Sequence, residues 1–153
     1  MTPAPVEAGK NTRSVMEPKP RTKRPKIIRD FGLDFYWDPE KVWKLDFPVE
    51  KMDIDELIWH FEIPFWEKED TDDWNLTPWE VIHKMPGSKE HQKKVEEADL
   101  SYPIDIMENK GLWRILDGLH RLVKAHQLGH KKVKVRKIPK EKIPEILRTP
   151  EEK

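Results

Sequence analysis

The stretch YPIDIMENKGLWRILDGLHRLVKAHQLGHKKVKVRKI, residues 102–138, constrains the fold more than any other part of the chain. Tyr102 to Ile106 and Leu112 to Leu116 are apolar runs of strand length, and Asn109, Lys110 and Gly111 between them predict a hairpin turn. The second run leads into Asp117 and Gly118. Leu119 to Leu128 then has helical periodicity, with Gly129 as its stop. VKVRKI at 133–138 predicts a further strand, reached by a connection short enough for a compact unit. Strands feeding a helix that returns to a strand need a sheet with helices packed on it. The fold class expected is therefore α/β, a small domain with a mixed sheet and flanking helices.

Upstream the signals are more varied. Residues 1–26 hold Pro3, Pro5, Pro18, Pro20 and Pro25 with almost no large apolar side chain, a composition expected of a disordered tail. Lys19, Arg21, Lys23, Arg24, Lys26 and Arg29 make that region basic, so it can touch nucleic acid or an acidic surface, or simply solubilise. From Ile27 the aromatic density rises, and residues 27–153 are read as the folded domain. VWKLD at 42–46 suits a short strand. Asp53 followed by Glu56 predicts a helix through Phe61 with Ile54, Leu57, Ile58 and Phe61 on one face. Thr77, Pro78 and Glu80 signal a helix over 78–84, and another, thinly apolar and so on the surface, follows Ser88 to about Ala98.

Charge and composition exclude several classes of function. The 153 residues contain no cysteine, which removes thiol nucleophiles, disulfide frameworks, cysteine-ligated zinc and iron–sulfur clusters. No apolar run approaches the roughly 20 residues that span a bilayer, and no signal-peptide core is present at the N-terminus, so a soluble cytoplasmic protein without a membrane partner is expected. The net charge of zero hides an uneven distribution. Residues 1–29 carry +6, residues 30–108 carry −14 and residues 109–153 carry +8. The acidic run EKEDTDD between Trp66 and Trp74 lacks the glycine and distal glutamate of a calcium loop and reads as a solvated loop.

The Asp117 to Arg121 turn carries the most chemistry. At 100° per residue Leu119, Leu122, Val123 and His126 share one face of the helix, while His120, Arg121 and Lys124 fall elsewhere, beside first-turn amides that have no intrahelical acceptor. Free amides with cationic side chains make an anion site. Gly118 lets the backbone approach a phosphate, His120 can donate to it, and Arg121 can offer a planar fork. Asp117 would repel a phosphate. It therefore either caps the helix or holds a magnesium ion bridging to the phosphates.

Residues 102–138 resemble the core of the ParB/sulfiredoxin superfamily, through Pro103 and Ile104, then Asp117, Gly118, His120 and Arg121, then Gly129, then Val133 and Val135. WKLDFPVEKMDIDELIWHF fits the family's first strand and helix more loosely, and residues 62–100, rich in tryptophan and acid, stand as an insertion with no counterpart. The resemblance implies an α/β fold whose Gly-His-Arg turn holds nucleotide phosphates, ATP or CTP with magnesium, for phosphoryl transfer or hydrolysis. Leu119 stands where sulfiredoxins carry their reactive cysteine, which excludes sulfinic acid reduction. The turn is similar to the Asp-Gly-His-His-Arg form of single-domain members that include free-serine kinases.

The leading expectation is a magnesium-dependent, nucleotide-binding domain using Asp117, Gly118, His120, Arg121 and Lys124, with Asp117 on the metal. His120 and Glu50, which follows the first expected strand, are the candidate catalytic groups, Glu50 as the base for an acceptor hydroxyl. One alternative is a non-catalytic phosphate-binding module whose Trp-rich insertion meets a protein partner, although the tryptophans are read first as filling the core. Another is a ParB-like DNA binder or nuclease using the basic tail for nucleic acid, against which the acidic middle argues.

Overall fold

A computed structural model describes residues 26–148, apart from positions 32, 34 and 72. Residues 1–25, which hold nearly all of the expected tail, lie outside the described residues. Lys26 belongs instead to a short helix, α1 (Lys26–Phe31), in which its ammonium pairs with Asp30 at 2.9 Å and Ile28 is buried.

Four strands form one mixed sheet: β1 (Glu50–Asp53), β2 (Ile104–Asn109), β3 (Leu112–Asp117) and β4 (Lys132–Lys137), in the spatial order β1-β4-β2-β3. β2 and β3 are the expected hairpin. Lys110 and Gly111 turn it with φ of 54° and 83°, the left-handed pair that matches the twist of the flanking strands. The chain then forms α5 (Leu119–Gln127), ends it at Gly129 with φ 81°, and returns as β4, parallel to β2. β1 closes the far edge antiparallel to β4.

Period-two alternation explains why β2 is buried along most of its length. Ile104 and Ile106 join Ile115, Val133, Val135 and the α5 residues Leu122, Val123 and Ala125 in the main core. Met107, with Leu116 of β3, joins a second cluster containing Val42 and Ile146. Helices therefore cover both faces, and the protein is of the α/β class.

Two upstream expectations are corrected. Residues 42–46 are not a strand. Asp38 caps the helix α2 (Pro39–Trp43), accepting from the Glu40 amide at 2.9 Å with proline just inside, and this local signal outweighs the alternation of VWKLD. The first strand is β1, after Pro48. The expected helix from Asp53 is two tight 3-10 segments, Ile54–Glu56 and Ile58–Glu62, because Asp53 does not cap it but reaches across to Lys132 at 2.8 Å. Ile54, Leu57 and Phe61 are nonetheless buried, as their spacing requires.

Within residues 62–100, α3 (Pro78–Ile82) has the full capping box between Thr77 and Glu80. α4 (Lys89–Glu97) buries only His91 and Val95, the thin stripe expected of it. A short α6 (Ile143–Ile146), not anticipated, seats Ile146 in the second core cluster.

Candidate functional site

The β3–α5 junction leaves a helix end open. Gly118 is the N-cap residue with φ 115°, and it has no side chain to cap with. The Leu122 amide donates to the Gly118 carbonyl at 3.0 Å, so the amides of Leu119, His120 and Arg121 have no acceptor within the helix. Elsewhere protein groups meet the first-turn amides: Asp38 in α2, Thr77 in α3, and Glu69, whose carboxylate accepts from the Glu90 amide of α4 at 3.0 Å.

Asp117 does not cap α5. Its Oδ2 accepts from the Trp43 indole at 2.7 Å and lies 3.5 Å from Arg121 Nη2. Arg121 is turned back over the junction, with Nη1 donating to the Pro103 carbonyl at 2.9 Å. One of its five donors is thus hydrogen-bonded, and the ion pair with Asp117 is a looser contact. Two exposed aromatic side chains flank this ion pair: Trp43, 53% exposed, and Tyr102, 62% exposed, whose ring centre lies 6.0 Å from the Arg121 guanidinium.

The remaining candidates have other partners. Lys124 does not approach the open amides. Its ammonium donates to the carbonyls of Glu96 and Ala98, each at 2.8 Å, because the end of α4 presents carbonyls that a cation satisfies. His120 does not lie on a free face either. It packs beneath residues 62–100, with Nε2 2.9 Å from His91 Nδ1 and its ring stacked on Trp66. Burial, reinforced by His91, Lys94 and Arg121, holds its pKa well below the usual value. Glu50 pairs with Lys137 at 3.3 Å on the outer strand β1, three strand spacings or about 14 Å from β3. The structure does not bring it to the turn. His126 packs edge-on against Phe61 and Trp79, as its helical spacing predicts.

Several polar residues near the site escaped sequence reasoning. Asp105, only 2% exposed, faces Asp117 across the β2–β3 ladder and accepts from Arg136 Nε at 2.7 Å. Arg136 also donates to the Val42 and Leu45 carbonyls, tying α2 and the loop after it to the sheet. Burial raises the Asp105 carboxyl to about 6, against the pull of Arg136 and with a contribution from Asp117. An aspartate inside the apolar run YPIDI was the available signal. His60 is wholly buried, donating from Nδ1 to the Leu57 carbonyl at 2.7 Å and accepting at Nε2 from the Ile115 amide at 3.0 Å. Burial, and then Arg114, push its pKa well below the usual value. The tryptophans of residues 59–79 largely fill the core, as their first reading has it: Trp66 is buried, and Trp59, Trp74 and Trp79 pack against the main cluster.

Among the described residues no three His, Cys, Asp or Glu side chains converge on a point that could hold a metal ion. A magnesium ion bound here would have Asp117 and the ligand's own phosphate oxygens, a donor set that magnesium accepts because it keeps several waters.

The fold and site define an α/β protein with an open helix terminus at the end of a hairpin. No protein-family model matches the chain, and no curated protein matches it. Among solved structures, the crystal structure of sulfiredoxin from Arabidopsis thaliana is similar at 19% sequence identity, over 67% of this chain and 99% of that one, with a TM-score of 0.32. No helix among the described residues is long and apolar enough to cross a membrane.

Proposed function

We propose that the β3–α5 turn binds the phosphates of a nucleoside triphosphate, ATP or CTP, and that the protein transfers or hydrolyses a phosphoryl group. The observation that carries this reading is the uncapped start of α5 behind Gly118, with the Arg121 guanidinium folded over it. The sequence resemblance of the Asp117 to Arg121 turn supports it. Three open amides and the free donors of Arg121 offer hydrogen bonds to anionic oxygens, in a place where the helix dipole also favours negative charge.

Asp117 would be the magnesium ligand, and the ion would supply the positive charge that lets a carboxylate and a phosphate share the turn. Trp43 and Tyr102 offer exposed aromatic faces on which a base can stack. His120 is retained as a candidate proton acceptor. Glu50 is not, because of its distance, and Lys124 contributes only by holding α4 against α5.

Isothermal titration with ATP and with CTP, each with and without magnesium, tests the reading. Saturable binding that needs Arg121 is expected, and a ligand at 100 times its Kd would add about 2.7 kcal/mol of stability. Release of labelled phosphate, or its transfer to an acceptor, then separates an enzyme from a binding module. Failure of both nucleotides to bind at millimolar concentration overturns the proposal.

A further inference from the structure

Glu67, His91 and His120 come from a loop, from α4 and from the first turn of α5, yet they form a continuous chain of hydrogen bonds. The two imidazoles are nearly parallel, 7° apart, and joined by the 2.9 Å contact between His91 Nδ1 and His120 Nε2. Trp66 lies flat across both, with ring centres at 4.5 and 4.4 Å. On the far side of His91, Nε2 stands 3.2 Å from Glu67 Oε2. His91 itself is 3% exposed.

The chemistry of each atom fixes where the protons sit. A carboxylate only accepts, so His91 carries its proton on Nε2. A neutral imidazole has one such proton, so His91 Nδ1 is a lone pair and must accept from His120 Nε2–H. His120 Nδ1 is then left as a bare lone pair, and among the described residues the His120 ring makes no hydrogen bond besides the one to His91. Burial lowers the pKa of both histidines. Glu67 and Glu90 raise that of His91, Lys94 lowers both, and Arg121 lowers that of His120.

We infer that Glu67, His91 and His120 are a proton relay in which His120 Nδ1 is the general base of the phosphoryl site, with His91 and Glu67 as positioning residues. The inference rests on the reading of the β3–α5 turn as that site. An attacking hydroxyl or water gives its proton to His120 Nδ1 while its oxygen forms the new P–O bond, and the nucleoside diphosphate leaves with the electron pair of the old one. The His120 Nε2 proton passes to His91 Nδ1. His120 is neutral again, and the cation rests on His91 beside the Glu67 carboxylate. Both positioning residues lie in residues 62–100, the segment that the family resemblance leaves without a counterpart, so the relay would be this chain's own addition to the turn.

Long-range proton–nitrogen NMR of the full chain reads the tautomers directly, and phosphate release from ATP or CTP across pH reads their consequence. His120 is expected wholly in the Nε2–H form. Glu67→Ala should mix the tautomers of both histidines, cut turnover about tenfold or more and move the acid limb of the pH profile to lower pH, with nucleotide affinity unchanged. Glu67→Gln keeps an accepting oxygen and should restore the tautomer but not the limb. An Nδ1–H form of His120 in the native protein overturns the relay, as does a Glu67→Ala variant with native tautomers and turnover. Absence of ATP or CTP binding by the native protein overturns the phosphate-site reading, and the relay's catalytic use with it.

Discussion

The guanidinium of Arg121 lies so close over Gly118 that a Cβ on residue 118 would stand 2.8 Å from Nη1, and 3.2 Å from the Ile104 backbone. At φ 115° a side chain is also strained by its own backbone. Gly118→Ala should therefore cost about 1–2 kcal/mol of stability and push Arg121 away from the open amides. Denaturant melts and nucleotide titration check both effects. An unchanged stability contradicts the geometry of the turn.

Arg121→Ala should weaken ATP or CTP binding by about 1.5–3 kcal/mol, the range for a hydrogen bond to a charged group. It should also lose a little stability, because the Pro103 carbonyl loses its donor. His126→Ala, which removes contacts with Phe61 and Trp79, should lower the melting temperature and leave affinity intact. The opposite pattern would mean the ligand lies on the other side of α5.

Trp43→Ala removes an exposed indole and frees Asp117 Oδ2. Nucleotide affinity should fall by about 1–3 kcal/mol through lost stacking, with inorganic triphosphate binding much less affected. Equal losses for both ligands would rule out a base-stacking role.

Arg136→Leu strands the buried Asp105 carboxylate and two carbonyls, and should destabilise the protein by about 3–5 kcal/mol. The double variant Asp105→Leu with Arg136→Met should recover part of that loss, since no unpaired charge remains in the sheet. A double variant as unstable as the single one would show that the carbonyl contacts, not the ion pair, dominate.

Stability should fall on acidification from pH 7.5 to 6. His60, His91 and His120 all have folded-state pKa values below 6.5, so the unfolded chain binds more protons in this range. Their contribution is complete above pH 6.5 and is lost as pH falls through it. Asp105 works the other way. Its carboxyl titrates at about 6 when folded and 3.8 otherwise, so its protonation begins to oppose the histidines on the approach to pH 6 and opposes them more strongly below it. Urea midpoints measured from pH 7.5 to 5 check the sign, and a midpoint that rises between 7.5 and 6 refutes it.

Local chemistry was enough to read the hairpin, its Lys110–Gly111 turn, α5 with its Gly129 stop, and the Thr77 capping box, because each is encoded within a few adjacent residues. The first-turn amides of α5 were legible too, but whether Asp117 caps them was not, and its contacts with Trp43 and Arg121 show that it does not. What the sequence could not express was partnership at a distance. Asp117 meets Trp43 across 74 residues, Arg136 reaches the Val42 carbonyl across 94, and His120 meets His91 across 29. Helical periodicity placed His120 away from the buried face because it counts only the core beneath one helix. A second layer, residues 62–100, covers the other side, and only packing shows that it does. The turn at Lys110–Gly111 and the caps at Thr77 and Gly129 depend on adjacent residues, so the sequence by itself determined them, whereas at Asp53 the distant Lys132 took the carboxylate. Proton positions and ion pairs depend on which distant side chains share a low-dielectric space, and only the tertiary structure decided that.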